Sequence, residues 1–293
     1  MNDMKDWLLD ILRDPETGGR LVYDPSAGRL ASPTEEFAVE EGVPSFVKAE
    51  PSGEGFDYAA HYTADAEQFD YFVEDFDPLT AVHLGMLRET VLRTVPRGAG
   101  LLLDVGCGSA FVAGRMCPQG ARVVSLDIAR ANPRKALAKY PYENHAGVVA
   151  DAYRLPFADG TFDCIVASEI IEHTVDPQGF LASLLSKLKP GGTLVVSTPY
   201  KEKIVYSLCI HCNRKTPLNA HLHSFDEGRM RRMASAVGAE VEGLRLVGNK
   251  LLLRTHLSRL AARMGYGVWR CCDGTANRVV RKAEHFVVAF RRR

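Results

Sequence analysis

The sequence predicts an α/β protein built on a mostly parallel sheet, and three observations carry that reading. Leu101-Leu102-Leu103-Asp104-Val105 is an apolar run of the kind that forms a strand buried on both faces. From there to Pro199, apolar runs alternate with helix-like segments, the order expected when crossover helices cover both faces of a parallel sheet. Glu240 to Val247 and His285 to Phe290 then read as two late strands, with a helical segment from Leu251 to Met264 between them.

The first strand runs into Gly106-Cys107-Gly108-Ser109. Two glycines directly after a buried strand let the backbone turn tightly and approach a ligand, because no Cβ intervenes. The helix that follows would aim its free N–H groups at the same place. A dinucleotide fingerprint needs a third glycine where Phe111 stands. Asp104 would also repel a pyrophosphate, whereas it suits a ligand carrying an ammonium group. Asp127 closes the next apolar run, Val123 to Leu126, and an acid there can accept both hydroxyls of an adenosine ribose. That spacing taken alone also fits NAD, so a nicotinamide-dependent dehydrogenase is the competing enzyme class.

Four segments in order across residues 96–200 extend the pattern: LLLDVGCGSA, VVSLDIA, VVADAYRLPFADGTFDCIVASEIIEH and LKPGGTLVVSTP. Together they resemble the motifs of class I S-adenosylmethionine-dependent methyltransferases. The resemblance implies a Rossmann-like, seven-stranded, mostly parallel sheet with helices on both faces and an antiparallel final strand. It implies S-adenosyl-L-methionine as cofactor and S-adenosyl-L-homocysteine as product. Carried over residue by residue, Asp104, Gly106, Cys107 and Gly108 line the methionine end, and Asp127 with Ile128 holds the ribose and adenine. Asp151 and Ala152 meet the adenine amino group, and Glu169 is placed on the cofactor side as well. Cys107 reads as a packing residue in that loop, not as a nucleophile.

Residues 1–50 read as a small α+β module: a short amphipathic helix through Trp7 to Leu12, a hairpin across Arg20 to Ala31, and Gly42 to Val47 as its closing segment. The pattern LLDILRDPETGGRLVYDPSAGRL…EEGVPSFV resembles the zinc-ribbon-like activator of RNA and protein methyltransferases. Zinc-bearing relatives have cysteines around the position of Asp14-Pro15-Glu16-Thr17, where this chain has none, so a metal-free module is expected. Residues 51–95 are expected to form a linker, Pro51 to Gly55, and a helical lid rich in aromatics, including Tyr62. Residues 96–293 form the core, with substrate-side insertions at about 200–235 and 251–280.

Composition narrows the class. The chain has 293 residues and no formal net charge. No run approaches the twenty apolar residues of a membrane span, and the acidic start lacks the pattern of a signal peptide, so a soluble cytoplasmic protein is expected. Seven cysteines without a secretory signal argue against a disulfide framework. Charge is uneven: residues 1–80 carry 19 acids and 5 bases, residues 250–293 carry 11 bases and 2 acids. The simpler reading is two solvated faces, and the sharper one is a basic surface for an anionic substrate such as nucleic acid.

Ser168-Glu169-Ile170-Ile171-Glu172-His173 follows the fourth strand, at the sheet edge where ligands bind. At a helix start, that spacing would bring Glu169, Glu172 and His173 to one side. Two carboxylates and an imidazole can hold a divalent ion such as Mg²⁺ or Zn²⁺, which lowers the pKa of a coordinated hydroxyl. Glu-x-x-Glu-His resembles the metal element of ubiquinone-biosynthesis O-methyltransferases. It is also similar to that of small-RNA 2′-O-methyltransferases, in which a later histidine completes the site; here His221 or His223 could supply it. The same acids suit a metal-free helix N-terminus, and His173 can act as a general base with or without an ion. A rival site is Cys209-Ile210-His211-Cys212 with His221 and His223, the grammar of a structural zinc, against which stands burial of the cysteines as small hydrophobes.

The expected activity is methyl transfer from S-adenosylmethionine to a small-molecule acceptor, a hydroxyl or ring atom. Ribosomal or transfer RNA is the alternative acceptor, supported by the basic C-terminal third and the N-terminal resemblance. A protein that binds the cofactor without catalysis is the alternative of another class. No Asn-Pro-Pro-Tyr or Asp-Pro-Pro-Tyr sequence follows the fourth strand, which disfavours methylation of an exocyclic amine.

Overall fold

The computed structural model describes residues 4–47, 57–73, 75–210, 213–255 and 257–293. The linker read at 51–55 lies outside them, as do His211 and Cys212. In chain order the elements begin with α1 (Asp6–Ile11), β1 (Val22–Asp24), β2 (Arg29–Ala31), β3 (Glu36–Glu40), β4 (Val43–Pro44), α2 (Tyr58–Gln68) and α3 (Pro78–Leu92). The central run is β5 (Leu101–Val105), α4 (Phe111–Met116), β6 (Arg122–Asp127), α5 (Ala131–Lys139), β7 (His145–Val149), β8 (Phe162–Ser168), α6 (Pro177–Lys187) and β9 (Leu188–Pro199). After it come β10 (Tyr206–Leu208), β11 (Lys215–Pro217), α7 (Glu227–Ala236), β12 (Ala239–Asn249), α8 (Lys250–Arg254), α9 (Leu257–Arg263), α10 (Tyr266–Val279) and β13 (Ala283–Arg292).

A seven-stranded sheet takes the order β12-β13-β9-β8-β5-β6-β7. β5, β6 and β7 run parallel, while β13 lies antiparallel to both β12 and β9. This is the expected α/β architecture, antiparallel last strand included. Strand order reverses at β5 and β8, the switch point outside whose carboxyl ends such sheets bind ligands.

The chain divides into two compact units, residues 1–73, 96–166 and 182–192 in the first and residues 74–95, 167–181 and 193–293 in the second. In the first, Leu102, Leu103, Val123, Val124, Ile165 and Val166 are fully buried, as their uninterrupted apolar runs require. The N-terminal module belongs to this unit. Its strands form a four-stranded antiparallel sheet in the order β1-β2-β3-β4, with the Phe37 and Phe46 rings 4.7 Å apart. In the turn after α1, the buried Asp14 carboxylate accepts the N–H groups of Glu16 (2.8 Å) and Thr17 (3.0 Å).

The module is seated on β7, the last strand of the large sheet. Ser45 bridges Val149 in parallel, and the Phe46 N–H donates to the Val149 carbonyl at 2.8 Å. Leu12 pairs with Phe157, and the Arg13 N–H donates to the Pro156 carbonyl at 2.9 Å. An open β7 would offer unpaired backbone groups to any other strand, and the module takes up the end of that edge at Val149.

In the second unit, Trp269, Phe225, Phe286 and Phe290 form the buried core. A buried polar network ties β12 to α10: the Asp273 carboxylate accepts the N–H groups of Gly248 (3.2 Å) and Asn249 (2.6 Å), and the Asn249 amide donates to Asn277 at 2.9 Å. The helical reading of Leu251 to Met264 resolves into α8 and α9. Among the described residues, no helix is long and apolar enough to cross a membrane.

Leu8 and Leu12 carry the apolar part of the module's seat and are fully buried. Leu12→Ala is expected to cost about 2–5 kcal/mol in urea unfolding. Deleting residues 1–47 is expected to give a chain that aggregates through β7, as read by light scattering.

Candidate cofactor cradle and acceptor-side cluster

The cradle forms within the first unit, at the carboxyl ends of β5, β6 and β7. After β5 the chain turns through Gly106 (φ +63°) and Gly108 (φ +44°), and Ala110 (φ +55°) leads into α4. A Cβ at Gly108 would make only an ordinary contact with the Gly106 carbonyl at 3.9 Å, so glycine is needed there for the backbone angle and not for room. The Cys107 N–H donates to the Leu126 carbonyl at 3.0 Å. Burial pushes the Cys107 thiol well above its usual range, so this residue serves the loop as a packed, protonated side chain.

Asp104 is sealed from solvent, and its Oδ2 has no hydrogen-bond partner. Burial, then the charge of Asp127, pushes its carboxyl well above the usual range. An unpartnered buried carboxylate oxygen is costly unless a ligand supplies a donor, and the ammonium of an amino acid does so. Asp127 is better provided for: Oδ1 accepts the Ala129 N–H at 3.0 Å and Oδ2 the Asn132 amide at 3.0 Å. The N–H groups of Gly108 and Ile128 also favour its charged form, while burial, the largest effect, raises its pKa. Ile128, beside it, is half-buried.

Asp151, just after β7, accepts the Tyr58 hydroxyl at 2.5 Å and the Tyr153 N–H at 2.9 Å. Burial and this bond raise the Tyr58 pKa. Tyr58 on α2 thus reaches a predicted cofactor residue, while Tyr62 packs edge-on against His61 at 5.0 Å. Sequence reading missed Tyr58 and Asn132; Asn132 stands five residues after Asp127, close enough to have been considered as its orienting partner. The Ala152 carbonyl accepts the Ser183 hydroxyl at 2.7 Å.

The other site residues lie in the second unit. The expectation of a helix start carrying Glu169, Glu172 and His173 on one side is corrected here. Glu169 adopts a left-handed backbone (φ +58°), and Ile171–His173 is a single 3₁₀ turn. Glu169 stays near Glu172 and His173 but bonds other groups: it accepts the Ser197 hydroxyl at 2.7 Å and pairs with His285 at 3.0 Å. His285 Nδ1 in turn meets His83 Nε2 at 2.9 Å. Burial opposes charge on His285, but the Glu169 charge and hydrogen bond outweigh it and the net shift is upward; burial, then the His285 charge, pushes His83 down to about 4.

Glu172, His173 and His221 are brought together, with one ligand atom from each lying within 4.8 Å of the others. The imidazoles of His173 and His221 are 4.7 Å apart, edge to face. Glu172 is buried; Oε2 accepts the Thr198 hydroxyl at 2.9 Å, and Oε1 has no partner. Burial, then the nearby Glu169 charge, holds its carboxyl well above the usual range. His173 Nδ1 meets the Ala220 carbonyl at 3.3 Å and His221 Nδ1 meets Glu202 at 2.5 Å. With a proton on Nδ1 in each, Nε2 becomes the lone-pair nitrogen, the tautomer that metal-binding histidines adopt.

The rival cluster does not come together among the described residues. Cys209 lies in the turn after β10, with its N–H on the Arg214 carbonyl at 3.0 Å, and Cys212 is outside the described residues. His223 faces Arg229 (3.2 Å) and the Val175 carbonyl (3.4 Å).

Residues 103–196 match the family described as a methyltransferase domain. A protein of Mycolicibacterium smegmatis, named a probable S-adenosylmethionine-dependent methyltransferase, is 32% identical over 143 residues, covering 48% of this chain and 52% of its own. A ubiquinone biosynthesis O-methyltransferase of Xanthomonas axonopodis pv. citri is 31% identical over 140 residues, covering 45% and 56%. The chain spans about half the length of these curated relatives. Among solved structures, Burkholderia thailandensis 1,6-didemethyltoxoflavin-N1-methyltransferase shares the fold, with a TM-score of 0.55, 17% identity and coverage of 93% of this chain and 98% of that one. Residues 103–196 are thus similar in sequence to a methyltransferase domain, and the sheet they belong to has the fold of a solved methyltransferase.

Asp104→Asn is expected to weaken S-adenosylmethionine binding about ten- to a hundredfold by calorimetry, the loss of one charge-assisted bond. Because the folded-state pKa of Asp104 lies above its ordinary value of 3.8, the ligand-free fold binds this proton more tightly than the unfolded chain does. Its stability should fall as pH rises above 3.8, and Asp104→Asn should flatten that slope in denaturation curves.

Proposed function

We propose that this chain transfers the methyl group of S-adenosyl-L-methionine to a hydroxyl of a small molecule. The observation that carries the acceptor side of this reading is the convergence of Glu172, His173 and His221 around a buried, unpartnered carboxylate oxygen, directly after the carboxyl end of β8. On the cofactor side, Asp104 receives the methionine ammonium, Asp127 the ribose hydroxyls and Asp151 the adenine amino group. The glycine turn lets the backbone approach the methionine portion.

The reaction is a direct displacement. The acceptor oxygen forms a bond to the methyl carbon as the bond to the sulfonium breaks, and the electron pair leaves on sulfur as neutral S-adenosylhomocysteine. The acceptor must shed its proton, and in a metal-free site the Nε2 lone pair of His173 would take it, with His221 and Glu172 beside it. The donor set of two imidazoles and one carboxylate also fits a divalent ion, and favours Zn²⁺ or Mn²⁺ over Mg²⁺, which prefers oxygen ligands. An ion held by these three residues would supply Lewis acidity that lowers the pKa of a bound hydroxyl. The ubiquinone-biosynthesis relatives support the hydroxyl acceptor, and a cytoplasmic setting belongs to the same reading.

The test is transfer of labelled methyl from S-adenosylmethionine into a host extract separated into organic-soluble, RNA and protein fractions, with and without chelator. Label in the organic fraction that falls with chelator is the expected result. Label in RNA instead would replace the acceptor class and give the basic C-terminal third its role. Retained S-adenosylhomocysteine binding without any transfer would leave a binding protein. Glu172→Gln and His173→Ala are each expected to lower turnover about 10²–10⁴-fold while S-adenosylhomocysteine affinity stays within a few-fold.

A further inference from the structure

In the second unit, β10 and β11 form a sheet of their own. A lone two-stranded hairpin buries little, and here both strands are open to solvent. Yet its composition is not that of a solvated loop. Tyr206 is 55% exposed, Leu208 63%, Ile210 89%, and the flanking Val205 and Leu218 are comparably open. The register places Tyr206 opposite Pro217 and Leu208 opposite Lys215, so these four share one face while Ser207 and Thr216 occupy the other. The hairpin is therefore amphipathic across its thickness, and nothing among the described residues covers the apolar face.

Its charges indicate the occupant. Lys203, Arg214 and Lys215 are exposed, and no acid lies between positions 203 and 218. Protein interfaces are depleted of lysine at their centres. Aliphatic and tyrosine side chains flanked by lysine and arginine are the composition of surfaces that enter the headgroup layer, where apolar groups reach the acyl boundary and cationic heads stay at the phosphates. We infer that the β10–β11 hairpin is a peripheral membrane anchor that inserts Tyr206, Leu208 and Ile210 into an anionic bilayer surface, with Lys203, Arg214 and Lys215 at the lipid phosphates. Such binding is reversible and lies in the plane of the membrane, compatible with the lack of any spanning helix among the described residues.

Vesicle co-sedimentation of the full chain tests this, with phosphatidylcholine vesicles compared against mixed phosphatidylcholine–phosphatidylglycerol vesicles. Two variants serve: Leu208→Ser with Ile210→Ser, and Lys203→Glu with Arg214→Glu and Lys215→Glu. All five positions are exposed, so the fold should persist, which circular dichroism and S-adenosylhomocysteine binding can verify. The expected result is binding to the anionic vesicles only, weakened by salt, and reduced at least tenfold in the first variant. In the second the loss should be on the order of a hundredfold, from the attraction of three basic side chains to an anionic leaflet. Three results would overturn the inference. One is a wild-type chain that ignores both vesicle types, and another is variants that bind as the wild type does. The third is a wild-type dimer, dissolved by Leu208→Ser with Ile210→Ser and indifferent to lipid, which would assign the hairpin to a second copy of the chain.

Discussion

The first unit is organised around a carboxylate that the fold does not satisfy. Asp104 sits near the end of a buried strand, opposite Ser125, with the charge of Asp127 close by and no donor for Oδ2. Folding alone would select against that arrangement, because a buried acid with a like-charged neighbour raises the free energy of the native state. A cationic ligand reverses the sign. The glycine turn, the left-handed Ala110 and the parallel pairing of β5 with β6 place backbone and acid where such a ligand can reach both.

A comparable tension exists in the second unit, handled in another way. Glu169 and Glu172 are both buried, and the protein separates their protonation states. For Glu169, burial works against charge, but His285 and the Ser197 hydroxyl outweigh it and keep the carboxyl low, so it is the charged partner. Glu172 has one hydroxyl donor and is pushed the other way. Neighbouring carboxylates with opposed tendencies mark sites where protons are managed. The left-handed turn at Glu169 makes this division possible, by directing the first acid to His285 and leaving the second beside His173 and His221.

Much of this was legible in the chain before folding. Continuous apolar runs announced β5 to β9, since strands buried on both faces need no polar alternation, and the acids and glycines at their ends announced the cradle. Composition could not show that Glu169 and Glu172 part company, because a helix start and a left-handed residue followed by a 3₁₀ turn use the same letters. Nor could spacing choose between His221 and His223. That choice depends on Glu202 and the Ala220 carbonyl, which orient His221 and His173, and on Arg229, which occupies His223. The His83–His285 pair joins residues on α3 and β13, a separation no local pattern can reveal. Nothing in the sequence sets Tyr58 apart from its neighbouring aromatics, and only tertiary structure puts its hydroxyl on Asp151.

The seating of the N-terminal module on β7 sets an order of events during biosynthesis. The module leaves the ribosome before the strand it pairs with, so Leu12 and Ser45 are made before their partners Phe157 and Val149. At ordinary elongation rates the wait is on the order of 10 s, long compared with hairpin formation. During that interval the module has its own small sheet but an uncovered apolar side. The growing chain thus passes through a stage in which exposed apolar surface, absent from the finished fold, is open to aggregation.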